Sequence, residues 1–235
     1  MYTPRAYVED DAAVLRELIR RFPFALLVSA EAGAISGTHL PFELEPDRGE
    51  KGTLVAHMAR ANPHWRQLAR CEEALVVFQG PHAYVSPGWY AKQTTVPTWN
   101  YAVAHVYGRP SIVDDPARLR ASVEGLVARF ESEGSPWKLS SEVVTRELPG
   151  IVGFEIAITR IEGKIKLNQN RAVADREGAA AALLASADPV ERGVGEMMTA
   201  QLRGEPALSD GRGGACPRPS GAAEAESAPR GQSNQ

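Results

Sequence analysis

Residues 74–113 read ALVVFQGPHAYVSPGWYAKQTTVPTWNYAVAHVYGRPSIV, and how they are read decides the fold. Ala74–Phe78 and Ala83–Ser86 are short runs of branched and aromatic residues, parted by the turn pair Gly80-Pro81. The run from Asn100 to Val113 is long enough for one bent strand or two. No helical period separates these runs. Strands joined by turn-like links pair antiparallel, whereas a parallel sheet needs a crossover helix between most of its strands.

The same pattern extends outward. Toward the N-terminus, Phe24–Ser29, Ile35–Leu44 and Leu54–Met58 read as strands, with turns at Gly33 and at Gly49–Gly52. Ahead of them, Asp10-Asp11 precedes Val14, Leu15, Leu18, Ile19 and Phe22, which share one stripe of a capped helix. Asn62-Pro63 opens a short helix through Leu68. Downstream, Asp114 and Asp115 with Pro116 start a helix that carries Leu119, Val123, Leu126, Val127 and Phe130 on one face. Ile151–Ile161 is the last strong strand signal, and helices follow around Asp175–Ala185 and from Asp188-Pro189 through Leu202. These elements predict a mainly β chain with flanking helices (α+β). The expected core is a six-stranded antiparallel sheet closed into a barrel, with helices at the C-terminus. One domain is expected over residues 1–202, and a disordered tail over 203–235, where Gly, Pro, Ser and Ala dominate.

Composition narrows the function classes. A net charge of −3 provides no general field for nucleic acid. Cys71 and Cys216 lack metal-type spacing, which fits a reduced, cytoplasmic setting and no metal. The apolar run Phe22–Ala30 is too short for a membrane span, and no secretion leader precedes it. No nucleophile elbow, dinucleotide loop or zinc-protease pattern is present, so no catalytic residue is assigned.

Recognition chemistry concentrates between His57 and Gly108. Those 52 positions hold four of the five histidines, three of the four tryptophans and four of the six tyrosines. Flat rings with polar edges suit a flat ligand with polar edges, although short strands also recruit aromatics for packing. Around Arg60, Asn62, His64 and Trp65 a strand gives way to a helix start, where backbone N–H groups and a guanidinium would suit a phosphate. The alternative is a solvated surface arginine. Trp99 with Asn100 could stack on a ring and bond its edge, and Lys164, Lys166 and Asn168 alternate onto one side of an extended segment.

Five strings taken together resemble the PaiB-type FMN-binding family of negative transcriptional regulators. They are Thr38-His39-Leu40-Pro41, Ala56–Pro63, Tyr84–Tyr90, Val96–Tyr101 and Lys166–Asn170, in order over roughly residues 1–200. The family more often carries serine where Asn168 stands here. The resemblance implies a split β-barrel, usually a homodimer with FMN at the subunit interface. It places Thr38, His39, His57, Arg60, Asn62, His64 and Trp65 on the flavin and its phosphate, and has Trp99, Asn100, Lys166 and Gln169 close the site. It further implies contact with DNA, for which Arg16, Arg20 and Arg21 of the first helix are the local basic candidates. A flavin-dependent oxidoreductase using a nicotinamide donor is the alternative, and a haem-binding barrel is a third reading.

Overall fold

The computed structural model describes residues 1–92, 95–132 and 135–209. In chain order the elements are β1 (Val8–Glu9), α1 (Ala12–Arg21), β2 (Phe24–Glu31), β3 (Ala34–Pro41), β4 (Glu43–Glu45), β5 (Thr53–Ala59) and α2 (His64–Leu68). Next come β6 (Ala74–Val85), β7 (Thr98–Val113), α3 (Pro116–Phe130), α4 (Ser141–Glu147), β8 (Ile151–Lys166), α5 (Val173–Leu184) and α6 (Pro189–Leu202). The strands form one sheet in the order β3-β2-β6-β7-β8-β5-β4, with β1 added on β8. Every pairing is antiparallel.

The two edge strands are consecutive in the chain. Only Phe42 lies between β3 and β4, so the sheet must curl until its edges approach, yet no ladder joins them. Phe42 is fully buried there, its ring 5.8 Å from that of Phe78 and 6.1 Å from that of Phe154. Leu27, Val76, Ala104, Val106 and Ile156 continue this inner face.

The local chemistry explains most boundaries. Asp11 caps α1 by accepting from Ala13 N at 2.7 Å, and Asp115 caps α3 with Pro116 at its first turn. Ala32 and Gly33 both take positive φ, the requirement of a tight hairpin between β2 and β3. Gly108 lies where the β7–β8 register slips, and a side chain there would strike Ala157 and Ile156.

The expected six-stranded closed barrel is corrected to an eight-stranded open sheet. Two strands are too short to show any alternation: β1 has two residues and β4 has three. The expected strand Ile35–Leu44 is split, because Phe42 turns its side chain into the core between two different partners. In the opposite sense, Gly80-Pro81 does not end a strand. It forms an irregularity inside one twelve-residue β6, between Gln79 and His82. Helix α4 has no counterpart in the expectation.

Helix α1 covers the sheet through Leu15 and Leu18, which close on Gly163 and Gly80. Helix α6 packs against β6, with Val194, Met197 and Met198 buried, and α5 packs on α6. Beyond α6 the chain returns to the core through Leu208. The rest of the expected tail, 210–235, lies outside the described residues. No described helix is long and apolar enough to cross a membrane.

The outer face of β3-β2-β6-β7 carries no covering helix among the described residues. Phe24 and Ile35 are 65% and 77% exposed, and Leu26, Val28, Leu75, Val77 and Val103 are only half-buried on the same face.

Candidate functional site

One end of this outer face holds an open groove of about 350 Å³ lined by Gln79, His82, Trp99, Tyr101, Ala102 and Val103. The irregularity at Gly80-Pro81 places it, because it shifts His82 into register with Tyr101 and Tyr84 with Trp99. The Trp99 ring is 53% exposed, 5.9 Å from His82 and 6.4 Å from Tyr84. Strand β8 supplies cations along the rim. Lys166 lies opposite Tyr101 and Lys164 opposite Val103, with the Lys164 ammonium 5.4 Å from the Tyr101 ring. The Lys166 ammonium donates to Trp99 O at 2.8 Å and to Thr98 Oγ1. Burial, with Lys164 and Arg171 nearby, holds its pKa below the ordinary lysine value. None of the residues lining the groove is a carboxylate, so aromatic faces, an amide and rim cations suit a flat anionic ligand.

The other predicted residues form a second corner around β2, β3 and α2. His64 is buried, with Nε2 2.9 Å from Ser29 Oγ and Nδ1 2.7 Å from Thr38 Oγ1. Asn62 donates to Thr38 Oγ1 at 3.2 Å and accepts from His64 N at 3.0 Å. Trp65 Nε1 donates to Arg60 O. The Arg60 guanidinium lies on the exposed side, where Nε donates to Pro149 O and Nη2 to Ile151 O. His57 is half-buried on β5, and burial lowers its pKa. His39 is exposed, its ring stacked 5.9 Å from that of Phe24.

Two predicted contacts face elsewhere. Asn100 points inward, donating to Met198 Sδ at 3.4 Å, while its Oδ1 has no partner among the described residues. Gln169 is spent on the backbone, accepting from Leu167 N and donating to Ile165 O.

The structure therefore brings Trp99 and Lys166 together, and separately gathers Thr38, Asn62, His64, Trp65 and Arg60. His57 pairs with Gly153 near one end of β8, and Lys166 ends the other. Those positions are thirteen residues apart on a strand whose register against β7 slips between them. Sequence reasoning missed Gln79 and held His82 and Tyr101 only as members of the ring-rich stretch from His57 to Gly108, not as specific contacts. The available signal was that Gly80-Pro81 interrupts a strand and rotates the residues C-terminal to it.

The family described as "Putative FMN-binding domain" matches residues 1–160. The chain belongs to this FMN-binding family. Among curated proteins, it is similar to "Protease synthase and sporulation protein PAI 2" of Bacillus subtilis, at 33% identity over 207 residues, covering 86% of this chain and 99% of that one. The flavocytochrome Anf3 from Azotobacter vinelandii superposes with a TM-score of 0.55 at 14% identity, covering 70% of this chain and 72% of that one. The FAD- and haem-binding protein from Mycobacterium smegmatis does so at 0.51 and 19%, covering 65% and 69%. At those identities the likeness is one of fold: a mainly antiparallel sheet with several helices. FMN is the cofactor that membership in this FMN-binding family assigns to the chain.

Proposed function

We propose that the protein is an FMN-binding homodimer that acts as a PaiB-type regulator, with the flavin held between subunits. The observation that carries this is the division of the site. The groove at Trp99–Lys166 lies on the outer face of the sheet, whereas Thr38, opposite the buried Leu27, and His64, bonded to the buried Ser29, lie on its inner side, so a small ligand in one groove does not meet both. Small-molecule sites run from about 300 to 1,000 Å³, and a groove of about 350 Å³ is at the small end of that range. A twofold partner would set its corner against the groove. The uncovered apolar face of β3-β2-β6-β7 is the surface that such pairing would bury.

In this reading Trp99 and Tyr101 stack on the flavin ring, and Gln79 bonds its polar edge. Lys164 and Lys166 meet negative charge, and the partner's corner supplies the remaining contacts. When bound, FMN supplies hydride and single-electron chemistry. DNA contact would fall to α1, where Arg20 is held by Glu17 while Arg16 is exposed.

A second reading, a flavin-dependent oxidoreductase, is favoured by His82, an acid–base group that lines the groove. Rapid mixing of the FMN-loaded protein with NADH or NADPH separates the two. Reduction within seconds supports the enzyme, whereas slow reduction together with salt-sensitive binding to an operator supports the regulator.

A further inference from the structure

Tyr90, Ala91 and Thr95, which lie between β6 and β7, are tied down by the chain that follows β8. Tyr90 is buried, and its hydroxyl accepts from Asn168 Nδ2 at 3.0 Å. Asn168 is itself buried and sits at φ 61°, a left-handed position. Arg171 donates to Thr95 Oγ1 at 2.6 Å and lies 5.7 Å over the Tyr90 ring. Asp175 of α5 accepts from Ala91 N at 2.9 Å. Helix α5 also runs so close to Trp89 O that Gly178 has no room for a side chain.

These contacts and the Lys166 contacts close a ring. Tyr90 bonds Asn168, two residues past Lys166. Lys166 bonds Thr98 and Trp99, and Arg171 bonds Thr95, three residues before Thr98. Among the described residues, Lys166 meets these oxygens and no carboxylate. Its position therefore depends on where Thr98 and Trp99 are held, by their pairing with Val85 and Tyr84 on one side and by the clamp on the other.

We infer that Asn168 and Tyr90 are positioning residues for the ligand site, acting through Lys166 and Trp99 without touching the ligand. This rests on the proposed placement of the flavin at the groove. The groups that face Lys166 are Lys164 on β8, Arg171 in the following turn, Tyr101 on β7 and, beyond it, His82 on β6. Loosening the clamp lets the Lys166 ammonium move from its half-buried place into water.

The test uses Tyr90→Phe, Asn168→Gly and the double variant of the full chain. Glycine tolerates the left-handed backbone, so Asn168→Gly removes the amide without backbone strain. FMN affinity is read by titration. The titration of Lys166 is read in the FMN-free protein by NMR of labelled lysine. The clamp predicts about tenfold weaker FMN binding in each single variant, and no further loss in the double variant. It also predicts that Lys166 titrates closer to an ordinary lysine. Unchanged Lys166 titration overturns the inference even if affinity falls, because the clamp is inferred to act through the position of that group. Additive losses in the double variant overturn it too. If wild-type protein binds no FMN, the flavin reading fails, and the Lys166 titration still decides the clamp.

Discussion

His64 Nε2 and Ser29 Oγ lie 2.9 Å apart inside the curled sheet, and with Thr38 on Nδ1 both nitrogens of the ring are engaged. A histidine so placed holds β2, β3 and α2 together. His64→Phe keeps a ring but strands the buried Ser29 hydroxyl and takes one of two partners from the half-buried Thr38, so a stability loss of about 1–3 kcal/mol is expected in denaturant unfolding. FMN affinity should fall as well, because His64 holds the corner that the partner would set against the flavin.

The same burial gives a pH dependence. Desolvation depresses the His64 and His57 pKa values in the folded protein. The unfolded chain then binds more protons below the ordinary imidazole pKa. This contribution to stability is complete above about pH 7 and lost as pH falls through about 6.5 toward the lower folded values. Unfolding midpoints measured from about pH 7.5 to 5.5 should fall, and His64→Phe should flatten part of the slope. A level profile in wild-type protein contradicts this.

Glu155 is the hub of an ion cluster outside the ligand site. It binds Arg118 at 2.8 Å and Arg48 through both carboxylate oxygens, while Glu45 binds the same two arginines. The Arg48 guanidinium holds the Glu155 carboxyl below its usual range against the opposing effect of burial. Glu155→Gln should cost about 1–3 kcal/mol, chiefly by loosening α3 and the turn before β5. Hydrogen exchange should rise there and stay unchanged at β6.

Phe42 joins the two edges of the sheet. Phe42→Ala empties a fully buried site and should cost about 3–5 kcal/mol. A smaller loss would mean that the edges do not depend on it.

The outer apolar face predicts association. Ile35→Lys together with Leu26→Lys should convert a dimer to a monomer, as read by light scattering. If FMN is shared between subunits, the monomer should bind it weakly. A monomeric variant with unaltered FMN affinity contradicts the shared site.

Much of the fold was legible because its signals are local. Asp11 and the apolar stripe fixed α1, and Asp115-Pro116 fixed α3. The two short strands were not legible, since two or three residues cannot display a period. Gly80-Pro81 misled because turn residues and strand irregularities use the same chemistry. At the site, the density of rings, His82 among them, pointed to a pocket, but nothing pointed to Gln79 as its lining. Arg60 and His64 had the right chemistry for a ligand, but most of their polar atoms meet partners distant in sequence: Pro149 and Ile151 for Arg60, Ser29 and Thr38 for His64. Local spacing carries no trace of such contacts.

Flavin binding at the groove is tested most simply by the visible absorption spectrum of purified protein after incubation with FMN and gel filtration. A retained flavin band at about one FMN per chain is expected, with a raised melting temperature. Lys166→Ala should weaken that retention. Colourless protein with an unshifted melting temperature at saturating FMN would contradict flavin binding outright.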